Sequence, residues 1–259
     1  MNINHKYYKL HQTNTFNFTL HIKGEYKYQI YQSIAKTKIL EHIFYDHETD
    51  LIHLTMEKVH TLKTKPNLSH DQCIKLIQNI CQQMEFLEKQ GLSFYGFNLD
   101  DILVINEFIY IVVNPQYLLP IEMGANVMGG ANVMGGANVM GGANVMGSAN
   151  VMADANGANV MGGVNRIRII SGENRPYFSN PEIIKLRTLP AFFPIQIVYY
   201  SLGTLIIFCL LKTYLLVGNE IKSEEDIDFI LRPIHGTKIY WFLKRCLHKD
   251  PNKRLLLLI

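Results

Sequence analysis

Four cysteines and ten histidines are the side chains in this sequence that could build a metal or thiol site, and their spacing argues against one. Cys73, Cys81, Cys209 and Cys246 lie far apart among apolar neighbours. None forms a CxxC pair, and no histidine stands at zinc-ligand spacing. They read as small buried hydrophobes in a reducing compartment. Phosphate-cradling chemistry has no better footing: no GxGxxG occurs, and Gly24 is the only glycine before residue 30. The remaining soft donors are methionines of a repeat, Ala-Asn-Val-Met-Gly-Gly or a close variant, beginning at Ala125, Ala131, Ala137, Ala143, Ala149 and Ala158. Thioether ligands need a fixed geometry that Gly-Gly spacers do not give, so no metal is expected.

The elements that must position any site are short strands followed by longer helices. Phe16 to Lys23 and Leu51 to Met56 alternate at period two, and Tyr28 to Leu40 has a short helical pattern between them. Residues 1–60 thus read as a small β-rich unit with one helix. Ser69 and Gln72 have capping-box spacing after Pro66, and a wide apolar face runs from Cys73 to Leu87 before Gly91. Asp101–Ile105 and Phe108–Val113 read as strands joined by a hairpin turn at Asn106-Glu107. Residues 61–123 hold that helix and hairpin. The tract at 124–163 has one charge, Asp154, and no aromatic residue; it reads as a flexible low-complexity insertion, with a small β element as the alternative. Residues 164–259 read as helical to the end, through Phe192–Leu211, Glu224–Leu231 and Ile239–Leu247.

Composition narrows the class. A hydrophobic fraction of 48% excludes a fully disordered chain, and 25 basic against 22 acidic residues are spread without a basic stripe, so no nucleic-acid partner is expected. The N-terminus has no apolar run of signal-peptide length, which places the expected site of action in the cytosol. Ala191 to Leu211 is apolar enough to raise a membrane span, anchored by residues 195–211. Pro194 and the weak charge asymmetry of the flanks favour a buried core helix instead.

This order, an α+β arrangement of β-rich unit, buried helix, hairpin, loop and helical end, resembles the two-lobed eukaryotic protein-kinase fold, with a small β-rich N-lobe and an α-rich C-lobe. Several motifs carry the resemblance. Leu54 to Val59 is similar to the last N-lobe strand and hinge, with Met56 at the gatekeeper position and Glu57 to Val59 as hinge. Asn180-Pro-Glu182 resembles the end of the activation segment, and Tyr200-Ser-Leu-Gly203 the central helix. Cys246-Leu-His-Lys-Asp-Pro-Asn-Lys-Arg254 is the most specific match. The resemblance spans residues 50–259 and implies that Glu182 pairs with Arg254.

It also implies what is missing. Phosphoryl transfer in this family needs an Asp base, Asn and Asp magnesium ligands, a lysine and a glycine-rich loop on the phosphates. Aligned on the catalytic loop, the family's His-Arg-Asp becomes Phe94-Tyr95-Gly96, so the base position has no side chain. The magnesium Asn becomes Asp101, which can still ligate a cation, and Asp-Phe-Gly becomes Asn114-Pro115-Gln116. The central-helix Asp falls at Val198. Lys23 could stand at the phosphate lysine position. The expected function is therefore that of an inactive kinase-like protein, a binding or scaffolding module for a protein partner, with no cofactor expected and the holding of ATP with magnesium left open. The alternatives are an atypical active serine/threonine kinase using Asp100 or Asp101 with Lys23, and the membrane-anchored protein above. The Asn-, Ile-, Lys- and Tyr-rich composition with tandem expansion resembles proteins of large DNA viruses with AT-rich genomes, which would make the compartment the host cytoplasm.

Overall fold

The computed structural model describes residues 2–36, 43–122, 165–170, 175–217 and 220–257; the repeat tract at 124–163 lies outside them. Strands β1 (Asn2–Asn4), β2 (Tyr8–Gln12) and β3 (Asn17–Ile22) lead into helix α1 (Lys27–Lys36), then β4 (Ile43–Asp46) and β5 (Leu51–Thr55). They form one antiparallel sheet in the order β1-β2-β3-β5-β4. Period-two alternation sends Tyr8 and Leu10, then Phe18, Leu20 and Ile22, to the same buried face, because paired residues across a ladder share a side. Helix α1 lies against the rest of the core through Ile30, Ser33 and Ile34 at helical spacing. The helix expected to reach Leu40 is described only to Lys36; residues 37–42 lie outside the described set.

Strand β6 (Val59–Thr61) joins a small sheet with β8 (Ile102–Ile105) and β9 (Ile109–Val112), after helix α2 (His70–Lys89) and β7 (Leu92–Phe94). The reciprocal capping box of Ser69 and Gln72 starts α2, and its buried face includes Cys73, Leu76, Ile77, Ile80 and Leu87. Asn106 and Glu107 both adopt positive φ, 48° and 68°, the backbone a two-residue hairpin turn demands. Strand β10 (Leu118–Glu122) pairs with β7 and with β11 (Arg166–Ile169).

The last third departs from the all-helical expectation. Short helix α3 (Pro181–Ile184) is followed by strand β12 (Ala191–Pro194), which pairs antiparallel with β11 and completes the sheet β12-β11-β10-β7. The apolar run from Phe192 reads as part of a helical stretch that Pro194 breaks or starts. Pairing with β11 overrides that pattern, and Pro194, lacking an N–H, sits at the end of the ladder. Helix α4 (Ile197–Leu211) begins only after it; β13 (Leu216–Val217), β14 (Glu220–Ile221), α5 (Glu224–Leu231) and α6 (Lys238–Cys246) complete the chain.

Helix α4 explains the membrane-like composition. Its residues from Ile197 to Ile207 are all buried inside the protein, so hydrophobicity all round reflects a central position. No helix among the described residues is long and apolar enough to cross a membrane. The four cysteines are buried and unbonded. The overall class is α+β, with antiparallel sheets throughout.

A buried amide ties the amino-terminal sheet unit to the remainder. Gln83 of α2 donates to the Ser33 hydroxyl of α1 at 2.8 Å and to the Val112 carbonyl at 2.8 Å, and accepts from the Val112 N–H at 2.9 Å. The side chain stands in for a neighbouring strand along β9. Replacing it by leucine leaves the Val112 groups buried without partners, and we expect a loss of about 1–3 kcal/mol. Urea unfolding measures this; an unchanged midpoint would mean that the three bonds make no net contribution.

Candidate functional site

The residues singled out from the sequence converge on the loop after β7. That loop runs from Tyr95 to Asn98, passes a single 3-10 turn at Leu99–Asp101, and enters the β8–β9 hairpin. Beyond the hairpin, Asn114 caps a second 3-10 turn at Pro115–Tyr117, accepting from the Gln116 N–H at 2.9 Å. Antiparallel pairing of β8 with β9 brings the two ends of the hairpin together, so Asp101 and Asn114 meet although thirteen residues separate them. The Asn114 amide donates to Asp101 Oδ1 at 2.7 Å, and the Val113 N–H donates to the Asp101 carbonyl at 2.9 Å.

Asp101 is 1% exposed, and its Oδ2 is buried without a hydrogen-bond partner. Burial pushes its carboxyl up to about 6, against the lowering effect of Asn114 and the nearby Asn98. His5 Nε2 stands 4.0 Å from Asp101 Oδ1, and burial lowers the histidine's pKa. Asp100 points the other way, to the surface, where it pairs with Lys63 at 2.7 Å. Its carbonyl accepts from the hydroxyl of Tyr8 at 2.5 Å.

A raised carboxyl carries a defined pH signature. The native state holds the Asp101 proton more tightly than the unfolded chain, so folding takes up a proton between about pH 4 and about pH 6. Stability from this group is fully present at the acid end and lost as pH rises through about 6. Asp101→Asn is therefore expected to gain about 2–3 kcal/mol relative to wild type on going from about pH 4 to about pH 8. Paired melts at the two pH values read the difference; a flat difference would place Asp101 in contact with solvent.

Gly96 occupies the tightest point of the loop. A Cβ built there would lie 2.1 Å from Pro176 Cγ, 2.7 Å from Pro176 Cβ and 2.8 Å from the Phe178 carbonyl oxygen. The segment 176–178 is held against the loop by an isolated bridge, with Phe97 N–H to Phe178 O at 3.1 Å and the reverse bond at 2.9 Å. No residue other than glycine fits this approach.

The loop is braced from behind by groups the sequence reading passed over. Asn180 donates its amide to the Tyr95 carbonyl at 3.1 Å and to the Ser201 hydroxyl at 3.0 Å, and Ser201 donates to the same carbonyl at 3.3 Å. Val198, one turn earlier on α4, has no polar group to offer. Two signals pointed to this pair. Asn180 precedes a proline at a helix start, the position of an N-cap, and it accepts from the Ile183 N–H. Ser201 interrupts an apolar run, where a buried hydroxyl must find a partner.

No protein-family model and no curated protein matches this chain.

The other singled-out positions are placed as follows. Lys23 follows β3, half-exposed, one residue past the buried Ile22; its N–H donates to the Tyr7 carbonyl at 2.8 Å, and no described carboxylate pairs with it. Met56 and Val59 are 4% and 2% exposed, while Glu57 is at the surface. The N–H groups of Glu57 and Lys58 both donate to Asn106 Oδ1 at 3.1 Å, so the turn of the hairpin fastens this connection. Tyr8, Ile22, Leu103 and Val113 are also buried, while Tyr7, Gly24 and Tyr26 line a cavity of about 530 Å³ together with Pro115, Leu118 and Pro120. Glu182 and Arg254 form a bidentate pair, Nη2 to Oε1 at 2.7 Å and Nη1 to Oε2 at 3.1 Å. Arg254 Nε also donates to the His248 carbonyl at 2.8 Å, and its guanidinium lies over the Tyr200 ring at 4.9 Å. Among the described residues, no group of three or more His, Cys, Asp or Glu side chains could hold a metal.

Proposed function

We propose that this chain is a two-lobed, protein-kinase-like binding module for a protein partner that does not transfer phosphate. The reading is supported by a five-stranded sheet bearing one helix, a remainder holding helices α2 to α6 entered through Met56–Val59, and an internal Glu182–Arg254 tie. The observation that carries the inactive half of the proposal is the contact of Gly96 with Pro176. Where a kinase places its base, this chain has packed a proline ring into the space, so the loss is built into the neighbouring backbone.

The remaining groups agree with that reading. The Asp101–Asn114 pair satisfies itself by an internal hydrogen bond, leaving one buried oxygen in place of an open pair of carboxylates. Tyr8 is fully buried and its hydroxyl is fastened to the Asp100 carbonyl. The atypical-kinase alternative needs Asp100 or Asp101 to face a substrate with Lys23. Asp100 is tied to Lys63 instead, and Asp101 is enclosed. The membrane alternative needs residues 195–211 to face lipid, and the stretch from Ile197 to Ile207 is buried inside the protein.

Two measurements test the proposal. Purified protein with Mg-ATP and generic protein substrates is expected to give no transfer above a heat-killed control; robust transfer would overturn the inactive reading. Titration with ATP, with and without magnesium, is expected to leave the melting temperature unchanged, since a ligand held only by the native state must raise it. A saturable rise would mean that the chain holds nucleotide and would overturn that half of the proposal.

A further inference from the structure

Helices α5 and α6 form a hairpin whose two ends differ in charge. Glu224 and Asp228 of α5 line a cavity of about 260 Å³ with Lys244, His248 and Lys249, and Asp228 pairs with Lys244 at 2.6 Å. The start of α5 therefore lies beside the end of α6, the two helices run antiparallel, and opposite charges meet there. At the other end the balance is lost. Between Phe229 and Lys249 the chain holds Arg232, Lys238, Lys244, Arg245 and Lys249 and no Asp or Glu. Arg232, Lys238 and Arg245 enter no ion pair among the described residues. Two large rings stand in water at this end, Phe229 at 66% exposed and Trp241 at 53%. The Arg232 guanidinium lies over the Phe229 ring at 5.1 Å, and Trp241 meets Tyr240 edge-on at 5.0 Å. Trp241 cannot turn inward, because α6 gives Ile239, Phe242, Leu243 and Cys246 to the core and helical spacing leaves Lys238 and Trp241 on the outer face.

We propose that this end of the α5–α6 hairpin docks an acidic segment of a protein partner. An apolar or aromatic side chain of that segment covers Trp241, and its carboxylates reach Arg232 and Lys238. The proposal rests on the binding-module reading above and names the partner's chemistry; it takes nothing from the inactive half of that reading. Charge and composition select the occupant. Unpaired basic side chains call for an anionic partner, and complementary charge steers such a partner to one face and rejects basic competitors. Exposed Trp and Phe beside Arg is the composition of interface anchors, which a protein segment can bury and desolvate. An anionic bilayer or a nucleic-acid backbone fits less well. Either would extend along the hairpin and meet Glu224, Glu225 and Asp226, all exposed in the first turn of α5. A short acidic segment touches the basic end alone.

The test uses the full chain, challenged with a random peptide library displayed on phage and then with the enriched peptides in solution. We expect the enriched peptides to carry net negative charge beside an aromatic or large aliphatic residue. Trp241 is the only tryptophan of the chain, so its emission reads this site directly and should move to shorter wavelength as bound peptide takes the ring out of water. Trp241→Ala should weaken binding about tenfold or more, the loss expected of a central aromatic anchor. Arg232→Gln with Lys238→Gln alters exposed side chains only, and should weaken binding by a similar factor and flatten its salt dependence. If Trp241→Ala lowers the melting temperature, the double charge variant and the wild-type emission decide. Enrichment of neutral or basic peptides, emission that does not move on binding, or affinity indifferent to the charge changes overturns the proposal and leaves the binding-module reading standing. A larger emission shift with phosphatidylserine vesicles or a single-stranded oligonucleotide than with the acidic peptides overturns it as well. No enriched peptide at all overturns both.

Discussion

Gly96→Ala is expected to destabilise the protein by about 2–3 kcal/mol, a large effect for one methyl group. The cause is steric, since the new Cβ would overlap the Pro176 ring at 2.1 Å and meet the Phe178 carbonyl at 2.8 Å. A flexible side chain could swing aside, but a proline ring and a main-chain oxygen cannot. Relief requires the segment 176–178 to move, and with it the paired Phe97–Phe178 bridge and the contact of Asn98 Oδ1 with the Tyr177 N–H at 2.6 Å. The melting temperature should fall by roughly 4–12 °C, taking about 2–4 °C per kcal/mol for a chain of this size. Pro176→Gly in the same background should recover part of the loss, because it removes two of the three overlapping atoms; the coupling measured by the double-mutant cycle then reports the contact itself. Gly96→Asp should fold less well still, adding a buried charge, and should restore no phosphate transfer. A Gly96→Ala protein as stable as wild type would show that the segment does not lie on the loop, and the main support for an inactive site would go with it.

Breaking the Glu182–Arg254 pair from one side should cost about 3–5 kcal/mol. The Arg254 side chain is fully buried, whereas Glu182 keeps 16% of its surface. Glu182→Gln therefore leaves a guanidinium without a counter-charge in a place water does not reach, and the desolvation of that ion is uncompensated. The bonds to the His248 and Lys249 carbonyls remain, at 2.8 and 3.4 Å, but neither supplies a negative charge. Removing both partners, Glu182→Gln with Arg254→Met, should cost less than the sum of the single changes, because no stranded charge is left behind. Chemical denaturation of the four proteins measures this. Additive losses would mean that the two side chains act independently, as exposed residues would.

The sequence made the secondary elements with strong local signals legible. The Ser69–Gln72 box, the Asn106-Glu107 turn and the period-two runs at Phe16–Lys23 and Leu51–Met56 each rest on chemistry within a few residues, and each element stands near where that chemistry puts it. Strand β12 was not legible in the same way. Phe192 and Phe193 belong to an apolar run that Pro194 divides, but the proline says nothing of what precedes it; only the arrival of β11 alongside makes the first part a strand. The candidate site divides similarly. The absence of a side chain at Gly96 is a matter of sequence. The proline ring that fills the space comes from eighty residues further along.

Residue identity by itself determined the α+β class, the capped central helix, the hairpin, the absence of a side chain at position 96 and the availability of Glu182 and Arg254 as opposite charges. These follow from periodicity, caps, turns and ionic character, which act over one or two turns of chain. Tertiary packing alone decided that Asp101 is enclosed and carries a raised carboxyl, that Asn180 and Ser201 brace the Tyr95 carbonyl, and that Gln83 ties Ser33 to Val112. The physical reason is that burial, desolvation and the sharing of one hydrogen-bond acceptor depend on which distant segments arrive together. A linear string holds no such information except through the fold it specifies.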